Sequence, residues 1–260
     1  MISLILAGGL GTRISNETAT KPKPLITLNN KPIISYIISH YRKHNVNEFI
    51  IAGGYKYKKI IRYFGSIKNK DIFFDKNHSI KIDEKIYKNF KDCKSKKKYF
   101  VKVVNTGLKT ETGGRIFKLK KLFENYDYFF LTYGDGLSDI NLNKTYSLFK
   151  KNKYLVQVTA VKSPPRFGEI KFDKNTHTVK NFSEKPSNDA SWINGGFFIL
   201  RNKMLKYLNK NENFEKVSLP RIVKKRKLSY YKHNGYWQCM DTPRDKIKLE
   251  KDIKSGKIKL

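Results

Sequence analysis

A short, largely apolar segment, Ile2 to Leu6 with Ser3 as its one polar residue, runs into a loop holding Gly8, Gly9 and Gly11. A short segment so largely apolar reads as a strand buried on both faces, which needs neighbouring strands and covering helices. Glycine has no Cβ, so backbone N–H groups in such a loop can closely approach phosphate oxygens. Arg13 closes the loop, and Lys23 follows within Lys21-Pro-Lys-Pro24. Two fixed cations beside a phosphate cradle suit chemistry on a phosphoanhydride. A dinucleotide-binding loop is the rival reading. GGLGTR is not G-x-G-x-x-G, and the following KPLITLNNKP has no acidic residue at the expected distance of about 20 residues. A glycine turn with a purely structural role is the other alternative.

The rest of the chain alternates strand-like and helix-like segments. Pro32–His44 predicts a helix with Ile33, Ile34, Ile37, Ile38 and Tyr41 on one face. Glu48–Ala52 reads as a strand, and Tyr57 to Phe64 as a lysine-rich helix. Gly114–Phe123 predicts a helix, and Tyr128–Thr132 a strand ending at Tyr133-Gly-Asp-Gly136. Asn141–Lys151 reads as helix, Leu155–Val161 and Glu169–Phe172 as strands, and the tail Lys246–Leu260 as a terminal helix. Residues 66–104 offer only short β-like runs among charged loops. The expectation is an α/β fold, a mixed but mostly parallel central sheet flanked by helices, forming one domain over residues 1–260. Ligands of such sheets bind at the carboxyl ends of the strands, where both the glycine loop and Asp135 fall.

Composition narrows the function classes. Of the 55 basic residues only nine are arginine, and the lysines are spread along the whole chain. A formal net charge of +33 therefore reads as a solvated lysine surface, without the basic stripe and interleaved aromatics of a nucleic-acid binder. No apolar run approaches the ~20 residues that span a bilayer, and MISLILAGGL lacks the charged n-region of a leader. Cys93 and Cys239 make neither a metal-ligand spacing nor a disulfide framework, so the expected setting is the cytoplasm.

Several segments carry candidate chemistry, each with a plainer alternative. Asp135, between two glycines at a strand end, suits Mg²⁺ or simply forms a turn. Asp241, before Thr-Pro, is a second candidate ligand or a helix N-cap. Glu184 and Lys185, in EKP, offer a carboxylate for sugar hydroxyls and an ammonium for phosphate, or are an exposed charge pair. Asn194, in Asn-Gly-Gly, leads into a strong strand through a break that a hairpin would also explain, and Gly168, in RFGE, sits in a turn-like segment. Thr110 and Arg115 flank a helix start that suits an anion or a base, or a cap alone.

Taken in order, LAGGLGTR with KPKP, then TGGR, YGDG, RFGE, EKP, NGGFF and YWQCMDTPRD follow the pattern of the sugar nucleotidyltransferases, and the chain resembles that family over nearly its whole length. The combination TGGR, FLTYGDG, RFGE, INGGFF and W-x-x-MDT-x-RD is similar to its cytidylyl branch. The resemblance implies a GT-A-like, Rossmann-type fold. It also implies transfer of a cytidylyl group from CTP to α-D-glucose 1-phosphate, giving CDP-glucose and pyrophosphate with Mg²⁺ as cofactor. By position, Leu6, Ala7, Gly8, Gly9, Leu10, Gly11, Thr12 and Arg13 would hold the nucleotide, helped by Thr110, Arg115 and Gly134. Arg13 and Lys23 would be catalytic, and Lys23, Gly168, Glu184, Lys185 and Asn194 would hold the sugar phosphate. Asp135 and Asp241 would ligate the metal. Relatives assemble as homo-oligomers, and CDP-glucose commonly feeds deoxysugars of lipopolysaccharide O-antigen and other surface polysaccharides.

Residues 66–104 and Val217-Ser-Leu-Pro-Arg221 depart from the family pattern, the latter lacking the usual Glu-Pro-Leu. The alternatives are thymidylyl or another nucleotidyl transfer to the same sugar phosphate, and a polyanion binder on a degenerate scaffold.

Overall fold

The computed structural model describes residues 1–67, 71–92, 97–162, 169–172, 179–183 and 192–258; of 169–172 and 179–183 the backbone alone is described. The chain opens with β1 (Ile2–Ala7), a short α1 (Ser15–Thr18), the small strands β2 (Thr27–Leu28) and β3 (Lys31–Pro32), and α2 (Ile33–Lys43). Then come β4 (Glu48–Gly53), α3 (Tyr57–Ser66), β5 (Ile72–Asp75), α4 (Glu84–Asp92) and β6 (Tyr99–Asn105). Next are α5 (Thr112–Leu119), β7 (Tyr128–Tyr133), β8 (Gly136–Ser138), α6 (Leu142–Lys151) and β9 (Val156–Lys162). The chain continues through β10 (Glu169–Phe172), β11 (Val179–Ser183), β12 (Trp192–Arg201), α7 (Leu219–Lys224), β13 (Leu228–His233), β14 (Trp237–Cys239) and α8 (Pro243–Lys254).

Eight strands form one sheet in the order β13-β9-β12-β7-β1-β4-β6-β5. Neighbours pair in parallel except at β12, which runs antiparallel to both β7 and β9. The expected mixed, mostly parallel sheet is therefore observed. Side chains alternate across it with period two. From β1, β4 and β7, Ile5, Phe49, Ile51 and Phe130 enter one core beneath α2, α3, α6 and α8. Leu4, Leu6, Ile50, Phe129 and Leu131 from the same strands enter the other core beneath α4, α5 and α7. Burial on both faces explains why these strands read as largely apolar segments without strict alternation.

The helices follow from the same pattern. In α2 the predicted face (Ile33, Ile34, Ile37, Ile38, Tyr41) is wholly buried. Helix α8 starts on a capping box: the Thr242 hydroxyl accepts from Asp245 N–H, and the Asp245 carboxylate accepts from Thr242 N–H.

Three expectations need correction. The helix expected over Gly114–Phe123 begins earlier, at Thr112, and tightens into a 3-10 turn at Lys120–Phe123. The poorly legible 66–104 stretch contains a helix, α4, whose Phe90 is buried, besides β5 and β6. The terminal helix starts at Pro243 and ends at Lys254. Among the described residues no helix is long and apolar enough to cross a membrane.

Candidate active site

Strands β1 and β7 lie side by side in the middle of the sheet, with Leu6 opposite Tyr133. Gly134 N–H donates to the Leu6 carbonyl at 2.9 Å, so the glycine loop and the Asp135 turn leave the sheet together. A Cβ on Gly134 would lie 2.9 Å from Pro24 Cγ. That close approach packs the KPKP segment over the strand ends. Prolines on either side of Lys23 set the backbone there, and Lys23 opens a single 3-10 turn with Pro24 buried beneath it.

Asp241 arrives from far along the chain. The ribbon β8–β14 pairs Gly136 with Cys239, and Met240 N–H donates to the Asp135 carbonyl at 2.8 Å. This ladder brings the two aspartates together across 106 positions of sequence, as the residue numbers state. Lys23 Nζ donates to Asp135 Oδ2 and to Asp241 Oδ1, each at 2.6 Å. Arg13 Nη1 meets Asp241 Oδ2 at 2.8 Å, with 73% of the Arg13 side chain exposed. Partial burial works against the Lys23 charge, but the two carboxylates outweigh it and hold its pKa above the ordinary lysine value.

Around these groups is a cleft of about 270 Å³. Leu6, Ala7, Gly8, Gly9, Gly11, Thr12, Arg13, Lys23, Arg115, Gly134, Asp135 and Asp241 all line it. Three of the residues singled out from sequence are not part of this lining. Leu10 is 50% exposed and is not part of the cleft lining. Thr110 Oγ1 donates to the Thr106 carbonyl at 2.6 Å and accepts from Lys118 Nζ at 2.9 Å. Thr112, two residues on at the first position of α5, lines the cleft instead. Asn194, on β12, accepts from Gly196 N–H at 2.8 Å and is not part of the lining. Gly168, Glu184 and Lys185 lie outside the described residues.

Tyr133, which sequence reasoning passed over, also lines the cleft. Its hydroxyl donates to Glu215 Oε1, and Thr112 Oγ1 donates to Glu215 Oε2 at 2.6 Å. Glu215 thereby ties the helix start of α5 to the strand end that carries Asp135. It belongs to a turn, Phe214–Ser218, that runs into the segment departing from the family pattern, Val217–Arg221. Adjacency to Gly134 could have flagged Tyr133; nothing local flags Glu215.

The carboxylate pair fits a hard divalent cation. Two aspartate oxygens already converge on a single cationic atom, and Mg²⁺ favours one or two carboxylates completed by substrate phosphates and water. Among the described residues no group of three or more His, Cys, Asp or Glu could hold a metal without such help. The donor set suits an ion that arrives with a phosphate ligand.

A mostly parallel sheet, a glycine loop after its first strand, and two cations facing two carboxylates define a nucleotide-handling transferase. Residues 2–255 match the family described as nucleotidyl transferase, and the chain belongs to that family. It is 35% identical over 260 residues to the glucose-1-phosphate cytidylyltransferase of Salmonella typhimurium, covering 99% of this chain and 97% of that one. It is likewise 35% identical to the probable glucose-1-phosphate cytidylyltransferase of Bacillus subtilis, covering 98% and 97%. Among solved structures, an apo UDP-glucose pyrophosphorylase superposes with a TM-score of 0.67 at 20% identity over 99% of both chains. That last likeness is one of fold.

Proposed function

We propose that this nucleotidyltransferase moves a cytidylyl group from CTP to α-D-glucose 1-phosphate, releasing pyrophosphate and CDP-glucose. The observation that carries the reading is the convergence of Arg13, Lys23, Asp135 and Asp241 at the mouth of the glycine loop. The full-length likeness to cytidylyltransferases supports the choice of base and sugar.

An oxygen of the sugar phosphate attacks the α-phosphorus of CTP, and the bond to the bridging oxygen of pyrophosphate breaks. The nucleophile is already an anion, so no general base is required. The obstacles are repulsion between two anions and the charge gathering on the leaving group. Lys23 Nζ, held beside both aspartates, faces the reacting phosphates. Arg13, exposed and among the described residues tethered only through Asp241, is free to turn onto departing pyrophosphate. Backbone N–H groups of Gly8, Gly9 and Gly11 cradle the triphosphate. Asp135 and Asp241 would hold Mg²⁺, which supplies further neutralisation of the triphosphate when bound. Gly168, Glu184, Lys185 and Asn194 would form the sugar-phosphate side. The same reading makes residues 1–260 one catalytic domain working in the cytoplasm as a homo-oligomer, with its product feeding surface polysaccharide.

The test is pyrophosphate release with glucose 1-phosphate and, in turn, CTP, UTP, dTTP, GTP and ATP. CTP should lead in kcat/KM by about tenfold or more, since base choice rests on hydrogen bonds to the base edge. A lead by dTTP would transfer the assignment to the thymidylyl alternative. No release with any nucleotide, together with salt-sensitive DNA binding, would sink the enzymatic reading.

A further inference from the structure

The start of α5 does not hang free over the cleft; it rests on the turn at residues 209–215. Glu111 N–H donates to Asn211 Oδ1 at 3.1 Å, and Gly114 N–H donates to the Glu212 carbonyl at 3.0 Å. Thr112 Oγ1 accepts from Phe214 N–H at 2.9 Å, and Asn213 Nδ2 donates to Glu111 Oε2 at 3.0 Å. N–H groups at a helix start lack partners inside the helix, and here the turn supplies acceptors for them. The fit is close. A Cβ on Gly113 would lie 2.7 Å from the Glu212 carbonyl oxygen, 3.0 Å from Ser218 Oγ and 3.2 Å from Phe214 N.

One side chain holds this seat together. Glu212 is 9% exposed. Its Oε1 accepts from Ser218 Oγ at 2.7 Å and from Arg221 Nη1 at 2.8 Å. Its Oε2 accepts from Arg221 Nη2 at 2.8 Å and from Asn209 Nδ2 at 3.1 Å. The Arg221 fork is therefore bidentate, which fixes orientation as well as charge. Burial works against the Glu212 carboxylate, but Arg221 and Ser218 outweigh it and hold its pKa below the ordinary glutamate value. Arg221 sits on α7, whose Ile222 is buried in the second core, and its Nη1 also donates to the Tyr207 carbonyl at 2.5 Å. Ser218 and Arg221 both lie in the segment that departs from the family pattern, so that departure supplies groups that clasp Glu212.

We infer that Glu212 is a positioning residue. Clasped by Arg221, Ser218 and Asn209, it fixes the turn on which α5 starts. It thereby fixes where Thr112 and Arg115, which both line the cleft, enter it. Glu212 is not itself part of that lining, so its effect passes through α5. Gly113 is glycine so that the helix can settle against the Glu212 carbonyl. The inference rests on the nucleotidyl-transfer reading of the cleft, because its consequence is the grip on the nucleotide. Misplacing part of such a constellation by about 1 Å costs on the order of 10²-fold in rate.

The experiment compares Glu212→Ala, Arg221→Lys, Ser218→Ala and Gly113→Ala with the wild type. It measures KM and kcat for CTP and glucose 1-phosphate well below each melting temperature, with thermal melts recorded alongside. Glu212→Ala keeps the backbone carbonyl but frees the turn. It should raise KM for CTP by about tenfold or more and leave KM for glucose 1-phosphate within about twofold. Arg221→Lys should show most of the same rise, because an ammonium cannot make the paired hydrogen bonds of a guanidinium. Ser218→Ala removes one of the four hydrogen bonds to the carboxylate and should give the smallest rise, about threefold. Gly113→Ala pushes on the seat from the helix side with the clasp intact, and should reproduce the selective rise for CTP. A lower melting temperature with both KM values unchanged would make the clasp a structural tie and overturn the inference. An equal rise in both KM values would also overturn it, since the effect would not be confined to the α5 side. If Glu212→Ala does not fold, Ser218→Ala and Gly113→Ala carry the test, and an unchanged KM for CTP in both would refute the inference. Failure of the cytidylyl reading would appear in the wild type, as a preference for another nucleotide, whereas failure of the seat appears only in the variants.

Discussion

Two lysine–aspartate clusters sit on the same sheet and behave oppositely. At the cleft, Lys23 bridges Asp135 and Asp241 with 13% of its side chain exposed and 27% and 24% of theirs. On the outer strands, Lys102 of β6 meets Asp75 of β5 at 2.8 Å, with both side chains at 0%. Lys102 also donates to the Asn77 carbonyl at 2.6 Å, and Asp75 accepts from the N–H groups of Asn77 and Asp83, which pins the turn after β5. Two carboxylates hold the Lys23 pKa above the lysine value, whereas burial pulls that of Lys102 below it despite Asp75. Chemistry of the same kind becomes a working site where solvent and a ligand can reach it. Sealed from water, it becomes a structural rivet.

His40 extends the series to a buried group with no carboxylate partner. It is 3% exposed, and among the described residues its Nε2 has no hydrogen-bond partner. Burial, followed by the neighbouring His44, lowers its pKa from 6.5 to about 4.

The sharpest way to break the comparison is to remove one member of the rivet. Lys102→Met leaves Asp75 buried and uncompensated, and should cost about 3–5 kcal/mol of stability in denaturant unfolding. Turnover per folded molecule should be unchanged. The double variant Lys102→Met/Asp75→Leu should recover most of the loss, and a stable single variant would remove the rivet role. At the cleft the effects should be reversed. Lys23→Ala and Asp135→Ala should melt near the wild-type temperature but lose about 10²–10³ in turnover, the usual worth of one preorganised charge. Full pyrophosphate release by either variant would exclude that residue from the mechanism.

The smallest expected effect belongs to His40. The unfolded chain takes up a proton below pH 6.5, and the folded chain does so only near pH 4. The unfolded state therefore binds more protons between those values, and stability falls as pH drops through that window. At 1.36 kcal/mol per pH unit the loss reaches at most about 3 kcal/mol. His40→Gln should flatten the slope of stability between pH 6.5 and 4, and an unchanged slope would assign acid sensitivity to other groups.

How much could be read beforehand depends on the range of the interaction. The strand-to-glycine-loop passage, the face of α2 and the strand-end position of Asp135 are local patterns, and all stand in the structure. Helix α4 escaped notice because its lysines dilute the apolar positions that pack inward. Thr112, rather than Thr110, lines the cleft because α5 starts at Thr112, and a helix start is uncertain by a residue or two from sequence. Arg115 lines the cleft, but its protein acceptors come from three separate turns, which no local pattern reveals.

By itself the sequence determined the alternation of buried strands and amphipathic helices, and with it a sheet whose strand ends carry glycines, cations and carboxylates. Burial periodicity and glycine's missing Cβ are properties of short segments. Only the tertiary structure decided that Lys23 lies between Asp135 and Asp241, that Glu215 joins Tyr133 to Thr112, and that the Glu212 carbonyl fills the space Gly113 leaves. Those contacts depend on the β8–β14 ribbon, the turn after Asn213 and the order of strands. The physical reason is that an ion pair or a close approach is fixed by position in space, and position is set by packing over the whole chain.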